Sequence, residues 1–280
     1  MKPAGMPGLD GVQSTLLMPL WARAIEARRP DAILRDEAAG RIVASLPFDF
    51  DHMRSQRVPV ADYCIRSVLV DRLVTAEMRA RPAAPVIEFG VGLDTRFDRL
   101  ADGRPWFEID FPEVVALRRR FFPDAVGRRM LSARLPDLSW LDDLDLPAGE
   151  PPIFVAEGVL YFLSTDEVRG LFMRLADRHP GAAFIFDAQS PLFLTMSNLA
   201  HPLNRRTSRL RFALGRQGRE VTSWDPRLVV DRYIGFGDRP EYSSFIHRLS
   251  AFKRCAAALH PLTRHSFKVM LVRLGHHSTP

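Results

Sequence analysis

Hydrophobic positions change their period near residue 85. From Ser14 to Arg28, the residues Leu16, Leu17, Leu20, Trp21, Ala24 and Ile25 recur at the spacing of one helix face, and Arg28-Arg29-Pro30-Asp31 breaks the pattern. A second helix is predicted over about 36–46. A third is predicted over about 60–80, where Ala61, Cys64, Ile65, Val68, Leu69, Leu73 and Val74 share a face. Residues 1–84 therefore read as a loose Gly- and Pro-rich tail followed by a helical cap.

Beyond Arg81-Pro82-Ala83-Ala84-Pro85, short apolar runs alternate with helical stretches, the texture of βα units around a parallel sheet. Strands are expected near 85–90, 105–110, 128–132, 152–157 and 182–188, and helices near 93–101, 112–122, 137–143 and 165–179. The arginine-rich segment 201–219 interrupts the alternation. A strand near 227–234, a helix near 241–259 and a strand over His265 to Leu274 complete the series. The prediction is an α/β core over 85–280 with a lid insertion at about 191–225, after the fifth strand.

Composition narrows the class. Of 280 residues, 46% are hydrophobic and 26% charged, as in ordinary globular proteins. No stretch approaches 18 apolar residues and no cleavable leader is visible, so a cytoplasmic protein without a membrane partner is expected. The net charge of +6 would suit an acidic partner, but only three of the 39 basic residues are lysine. Arginine enrichment of this kind is also what a GC-rich genome produces, so no nucleic-acid partner is expected. Cys64 and Cys255 lack CxxC spacing and read as buried small hydrophobes, and the histidines show no HxxxH or HExxH pattern. No metal is expected.

Candidate chemistry begins at Val86-Ile87-Glu88-Phe89-Gly90-Val91-Gly92, a buried strand followed by a tight turn in which Gly90 and Gly92 let backbone approach a nucleotide. Leu93-Asp94-Thr95-Arg96 follows, so the third glycine of the dinucleotide fingerprint is missing; a nicotinamide-dependent oxidoreductase stays as the alternative. Glu88, an acid in a buried strand, needs either a neighbouring arginine or a ligand ammonium group. Asp110 ends the second strand twenty residues beyond Gly90, the distance at which a carboxylate meets a ribose diol. Asp137 suits a helix N-cap or an acceptor for adenine's amine. Glu157 closes the fourth strand at the same sheet edge. A cationic ligand would neutralise these converging carboxylates, and S-adenosylmethionine (SAM) carries both a sulfonium and an ammonium. Arg66 matches its carboxylate.

The runs Glu88-Phe-Gly-Val-Gly-Leu-Asp-Thr-Arg96, Phe107-Glu-Ile-Asp-Phe-Pro-Glu-Val114 and Ala156-Glu-Gly-Val-Leu-Tyr-Phe-Leu163 resemble the leucine carboxyl methyltransferase family, and within it the tetracenomycin-type polyketide O-methyltransferase branch. The resemblance runs from about Ser14 to Leu274 and takes in Arg66 to Asp71 and Trp224-Asp225-Pro226. It implies a class I methyltransferase, Rossmann-like fold: a mixed, mostly parallel seven-stranded sheet with helices on both faces, an N-terminal helical cap and a lid. It also implies SAM as cofactor and S-adenosylhomocysteine (SAH) as product. Arg66 would then hold the methionine carboxylate, the Gly90 turn would pass beneath the methionine, Asp110 would hold the ribose, Asp137 and Leu138 would face the adenine, and Glu157 would lie near the methionine end.

Methyl transfer from a sulfonium is an in-line displacement that needs alignment and desolvation rather than a covalent nucleophile. Glu157-Gly158 stands where base N-methyltransferases carry an Asn-Pro-Pro-Tyr run, so O-methylation is expected, on a carboxylate or a phenolic hydroxyl of a small molecule of the polyketide type. Tyr161 is the candidate for catalysis or substrate contact. Many relatives have Met then Tyr where this chain has Tyr161-Phe162, which leaves open a SAM-binding protein without turnover. Arg205 and Arg209 read either as part of an electropositive lid that draws in an acidic acceptor, or as the wet face of an amphipathic helix with Leu203, Leu210 and Leu214 turned inward. Oligomeric state is not encoded legibly.

Overall fold

Short runs buried at every position belong inside a sheet covered on both faces, and Val86–Phe89 (β1), Trp106–Asp110 (β2) and Ile153–Ala156 (β4) are such runs. A computed structural model describes residues 11–51, 53, 58–141, 144, 146, 149–200, 208–259 and 263–275. The remaining strands are Arg128–Ser132 (β3), Ala183–Gln189 (β5), Val229–Gly235 (β6) and Phe267–Arg273 (β7). They form one seven-stranded sheet of order β3-β2-β1-β4-β5-β7-β6, in which β1 to β5 run parallel and β7 runs antiparallel to both its neighbours. This is the mixed, mostly parallel Rossmann-like sheet the resemblance implies. The strand order reverses between β1 and β4, the switch point at which open α/β sheets bind ligands.

Among the described residues the α-helices are Leu17–Ala27 (α1), Glu37–Ser45 (α2), Val60–Ala80 (α3), Arg96–Leu100 (α4), Pro112–Arg118 (α5), Thr165–Arg178 (α6), Pro191–Ala200 (α7), Arg219–Trp224 (α8) and Ala251–Ala258 (α9). On one face of the sheet, Ile65, Leu69, Leu73 and Val74 of α3 pack against Val86, Val155, Ile185 and Val269. On the other, Val168, Leu171, Phe172 and Leu175 of α6 pack against Phe89, Phe154, Phe184 and Phe186, with Phe89 stacked on Phe154 at 5.7 Å between ring centroids. A capping box, Ser164 with Glu167, starts α6. The helix read as part of a cap, α3, is thus a wall of the sheet's own core. By contrast α1 and α2 pack on Leu93, Val114, Leu117 and Phe122, beside the glycine turn.

Several elements differ from expectation. Of the helix expected over 137–143, the described part is a 3-10 turn at Ser139–Leu141, and Asp137 accepts from the Ser139 N–H. The helix expected over 241–259 splits into a 3-10 turn at Ile246–Arg248 and α9, because Leu249 is extended and Ser250 starts α9 anew by accepting from the Lys253 N–H. Residues 201–207, with Leu203 and Arg205, lie outside the described residues, and 208–215 is not helical. There Leu210, Phe212 and Leu214 are buried while Arg209 and Arg211 are exposed, a period of two that no helix gives. Cys64 is buried and its thiol is pushed up to about 12 by that burial; Cys255, expected inside, is exposed. Among the described residues no helix is long and apolar enough to cross a membrane.

Candidate active site

A cavity of about 640 Å³ opens at the C-terminal edge of the sheet. The tips of β1, β2 and β4 give it Gly90, Gly92, Asp110 and Glu157, and α3 gives it Arg66. Beyond the switch point, its walls are Phe162, Phe193, Met196, Leu210, Phe236 and Phe267. Phe267 reaches this edge because β7 runs antiparallel, which sets it opposite Gln189 at the end of β5. One cavity therefore joins a polar floor to an apolar chamber.

The floor is shaped by glycine. Gly90 has φ +59°, and a Cβ there would lie 2.5 Å from Cγ2 of Val159. Gly92 has φ +51° and donates its N–H to Asp110 Oδ2 at 2.7 Å, while the Phe111 N–H donates to Oδ1 at 2.7 Å. Asp110 is thus fixed by two backbone amides at the tip of β2. Burial raises its pKa against the pull of those amides.

Behind the floor lies a network of four guanidiniums, Arg23, Arg66, Arg96 and Arg99, and six carboxylates, Asp36, Asp71, Glu88, Asp94, Glu157 and Asp187. Arg96 is its hub. Fully buried, it pairs with Asp71 at 2.7 Å, with Glu88 and Glu157 in closer contacts, and with Asp94 at 3.7 Å. Burial pushes Glu88 up to about 7 despite Arg96, which three other carboxylates share. The Glu157 side chain is also buried, yet Arg66 and Arg96 hold its carboxyl below the usual range; Arg66 Nε donates to it at 2.9 Å and Ser67 Oγ at 2.8 Å. Of the network's carboxylates, Asp94 and Glu157 line the cavity.

Arg66, Gly90, Gly92, Asp110, Glu157 and Tyr161 all line the cavity. Glu88 does not: it sits on the α3 face of β1, held by Arg96 and by the Trp106 indole N–H at 3.4 Å, so of its two readings the neighbouring arginine is the one present. Leu138 is fully buried in the core and Asp137 is exposed, and neither is among the cavity's lining residues. Arg209 is exposed and likewise off the lining, and Arg205 lies outside the described residues. Sequence reasoning missed Arg96, Asp71, Asp94 and Asp187. The signal for Arg96 was present: a cation in the first turn of a helix runs against the helix dipole and needs a reason, and Glu88 lacked a partner.

The model of the leucine carboxyl methyltransferase family matches residues 16–176, more than half of the chain. The tetracenomycin polyketide synthesis O-methyltransferase TcmP of Streptomyces glaucescens is 29% identical over 237 residues, 84% of this chain and 84% of that one. The S-adenosyl-L-methionine-dependent methyltransferase dpfgK of Gibberella zeae is 28% identical over 62% of this chain and 63% of its own. Among solved structures, a DUF574 family protein from Streptomyces avermitilis superposes with a TM-score of 0.57 at 13% identity, covering 93% of this chain and 97% of that one, a likeness of fold.

Proposed function

The chain belongs to the leucine carboxyl methyltransferase family, its methyl donor is SAM, and on that premise we propose that it is an O-methyltransferase acting on a carboxylate or phenolic hydroxyl of a small, largely apolar molecule of the polyketide type. The observation that carries this reading is the single cavity with a carboxylate-rich floor and an aromatic chamber. The relative named for tetracenomycin polyketide O-methylation supports the same acceptor chemistry.

The residues present suit the donor. Asp110 offers two fixed oxygens to a ribose diol, the Gly90 turn leaves room that a side chain would fill, and the carboxylates of Asp94 and Glu157 on the lining suit a sulfonium and an ammonium. Arg66 would take the methionine carboxylate, its Nε staying on Glu157. SAM supplies a methyl group already activated by its sulfonium. The protein's own part is to align the acceptor oxygen and exclude water: Phe162, Phe193, Met196 and Phe267 enclose the acceptor's body, and Tyr161 meets its reacting end. The chamber offers aromatic surface, so the acceptor is bound through its apolar body rather than drawn in by Arg209.

Calorimetry with SAM, SAH and NAD, followed by transfer of a radiolabelled methyl group to aromatic acids and phenols, tests the proposal. Binding of SAH and label in an ester or ether are expected. Binding of NAD in place of SAH would refute the cofactor assignment. Tight SAH binding with no labelled acceptor would favour a SAM-binding protein without turnover.

A further inference from the structure

Asp187, near the end of β5, lies behind the cavity lining, against Arg66, Gly158 and Tyr161, which do line it. It is wholly buried and holds three different elements. Its Oδ1 accepts the Gly158 N–H at 2.6 Å, in the turn after β4. Its Oδ2 accepts the Tyr161 hydroxyl at 2.8 Å and lies 3.4 Å from Nη1 of Arg66 on α3. Tyr161 is tied in turn to the segment that returns from the lid, its carbonyl oxygen accepting the N–H groups of Arg211 at 2.6 Å and Phe212 at 3.2 Å. That segment is fixed further along, where Leu214 N–H donates to the Gln189 carbonyl at 3.0 Å and buried Lys268 donates to the carbonyls of Leu214 and Gly215.

We propose that Asp187 is a positioning residue of the methyltransferase site, holding the Tyr161 side chain, the Arg66 guanidinium and, through Tyr161, the lid return in one arrangement. The geometry also separates its two effects. Arg66 keeps Glu157 through Nε when Asp187 is lost, so the cofactor side has a second anchor. Among the described residues the Tyr161 hydroxyl has Asp187 as its acceptor and no second one, so Tyr161 and the lid return depend on it. The groups facing Asp187 are Arg66 from α3, Glu157 and the Gly158 N–H from the β4 turn, and Tyr161. Burial raises the Asp187 pKa in spite of Arg66, and burial together with Asp187 holds Tyr161 neutral well above the usual phenol range. Protonating Asp187 removes the charge that Arg66 meets and weakens its hold on the Tyr161 proton.

The inference rests on the methyltransferase reading, and its test is separable from it. Asp187→Asn, Tyr161→Phe and the double variant are made in the full chain. Amide hydrogen exchange at Arg211 and Phe212 is followed with SAH present, and the SAH dissociation constant is measured by calorimetry. Each single variant is expected to lose about tenfold protection at these two amides, with the double variant no worse than either, because the two groups act as one unit. The SAH dissociation constant of Asp187→Asn should stay within about threefold of wild type. Wild-type protection at the two amides, relative to intrinsic exchange, should fall as pH is lowered, and that fall should vanish in Asp187→Asn. Additive losses in the double variant, unchanged protection in Asp187→Asn, or a fall with acid that persists in it would each overturn the proposal. Failure of the wild type to bind SAH would instead remove the methyltransferase reading, with the exchange pattern still readable.

Discussion

Replacing Arg96 with Gln tests the charge network directly. The substitution keeps much of the side chain's volume and removes one of four guanidiniums that face six carboxylates, at a site with no exposure to water. Taking one partner from a buried ion pair costs about 3–5 kcal/mol, because the remaining charge stays buried and uncompensated. A second route gives a similar figure. The protein can relieve the excess by protonating one carboxyl, and holding a proton on a group of ordinary pKa at neutral pH costs roughly 3–4 kcal/mol. Glu88, already raised to about 7, is the cheapest site for that proton, so the lower end is expected near neutrality. The sign of the pH dependence follows. Without Arg96 the neighbouring carboxyls have raised folded-state pKa values, so the deficit grows as pH rises through them and shrinks in acid. Thermal unfolding at about pH 5.5 and about pH 8 reads this out, with an expected fall in Tm of roughly 6–15 °C, the larger at the higher pH. Arg96→Lys, which keeps the charge and loses the fork, should fall between. A Tm within about 2 °C of wild type at both pH values would refute the reasoning.

Asp110→Ala and Arg66→Ala should each weaken SAM binding at least about tenfold, roughly 1.4 kcal/mol, by calorimetry; unchanged affinity in both would sink the site assignment. Gly90→Ala forces a Cβ to 2.5 Å from Val159 at a positive φ, so it should also cost at least about tenfold in SAH affinity, and wild-type affinity would show that the turn does not shape the floor. Glu88→Gln should flatten the loss of stability between about pH 4.5 and about 7. A carboxyl raised to about 7 in the folded state contributes stability below its unfolded pKa that is lost as pH rises through the folded one. An unchanged pH profile of Tm would show that Glu88 is ionised throughout.

What the sequence could and could not show depends on how far apart the interacting residues lie along the chain. The glycine turn and Asp110 were legible because Gly92 and Asp110 are eighteen residues apart within one β-α-β unit, and that topology brings strand tips together at a fixed edge. Strands β1 and β4 were legible for a similar local reason, since runs such as Ile153–Ala156 are apolar throughout, whereas β3, Arg128–Ser132, carries two arginines and is not. The helical reading fails over its described part, 208–215: Leu203, Leu210 and Leu214 fit a helix at intervals of seven and four, but Leu210, Phe212 and Leu214 alternate with Arg209, Arg211 and Ala213, the stronger pattern over that stretch. Arg66 meets Glu157 across 91 residues and Asp187 across 121, and no local pattern encodes either pairing. Periodicity reports which face of an element is buried. It does not report which charged side chain, of 39 basic and 33 acidic ones, meets which. What a sequence does offer there is a conflict: an acid at position 88 of a strand that is otherwise apolar cannot be buried alone. Such a conflict states that a partner exists and gives its sign. The fold then selects Arg96, eight residues on, and through it draws in Asp71 and Glu157 from two other elements. Glu88 is thus the residue most informative about the layer behind the site, because its cost in a buried strand requires the hub that sequence spacing alone does not reveal.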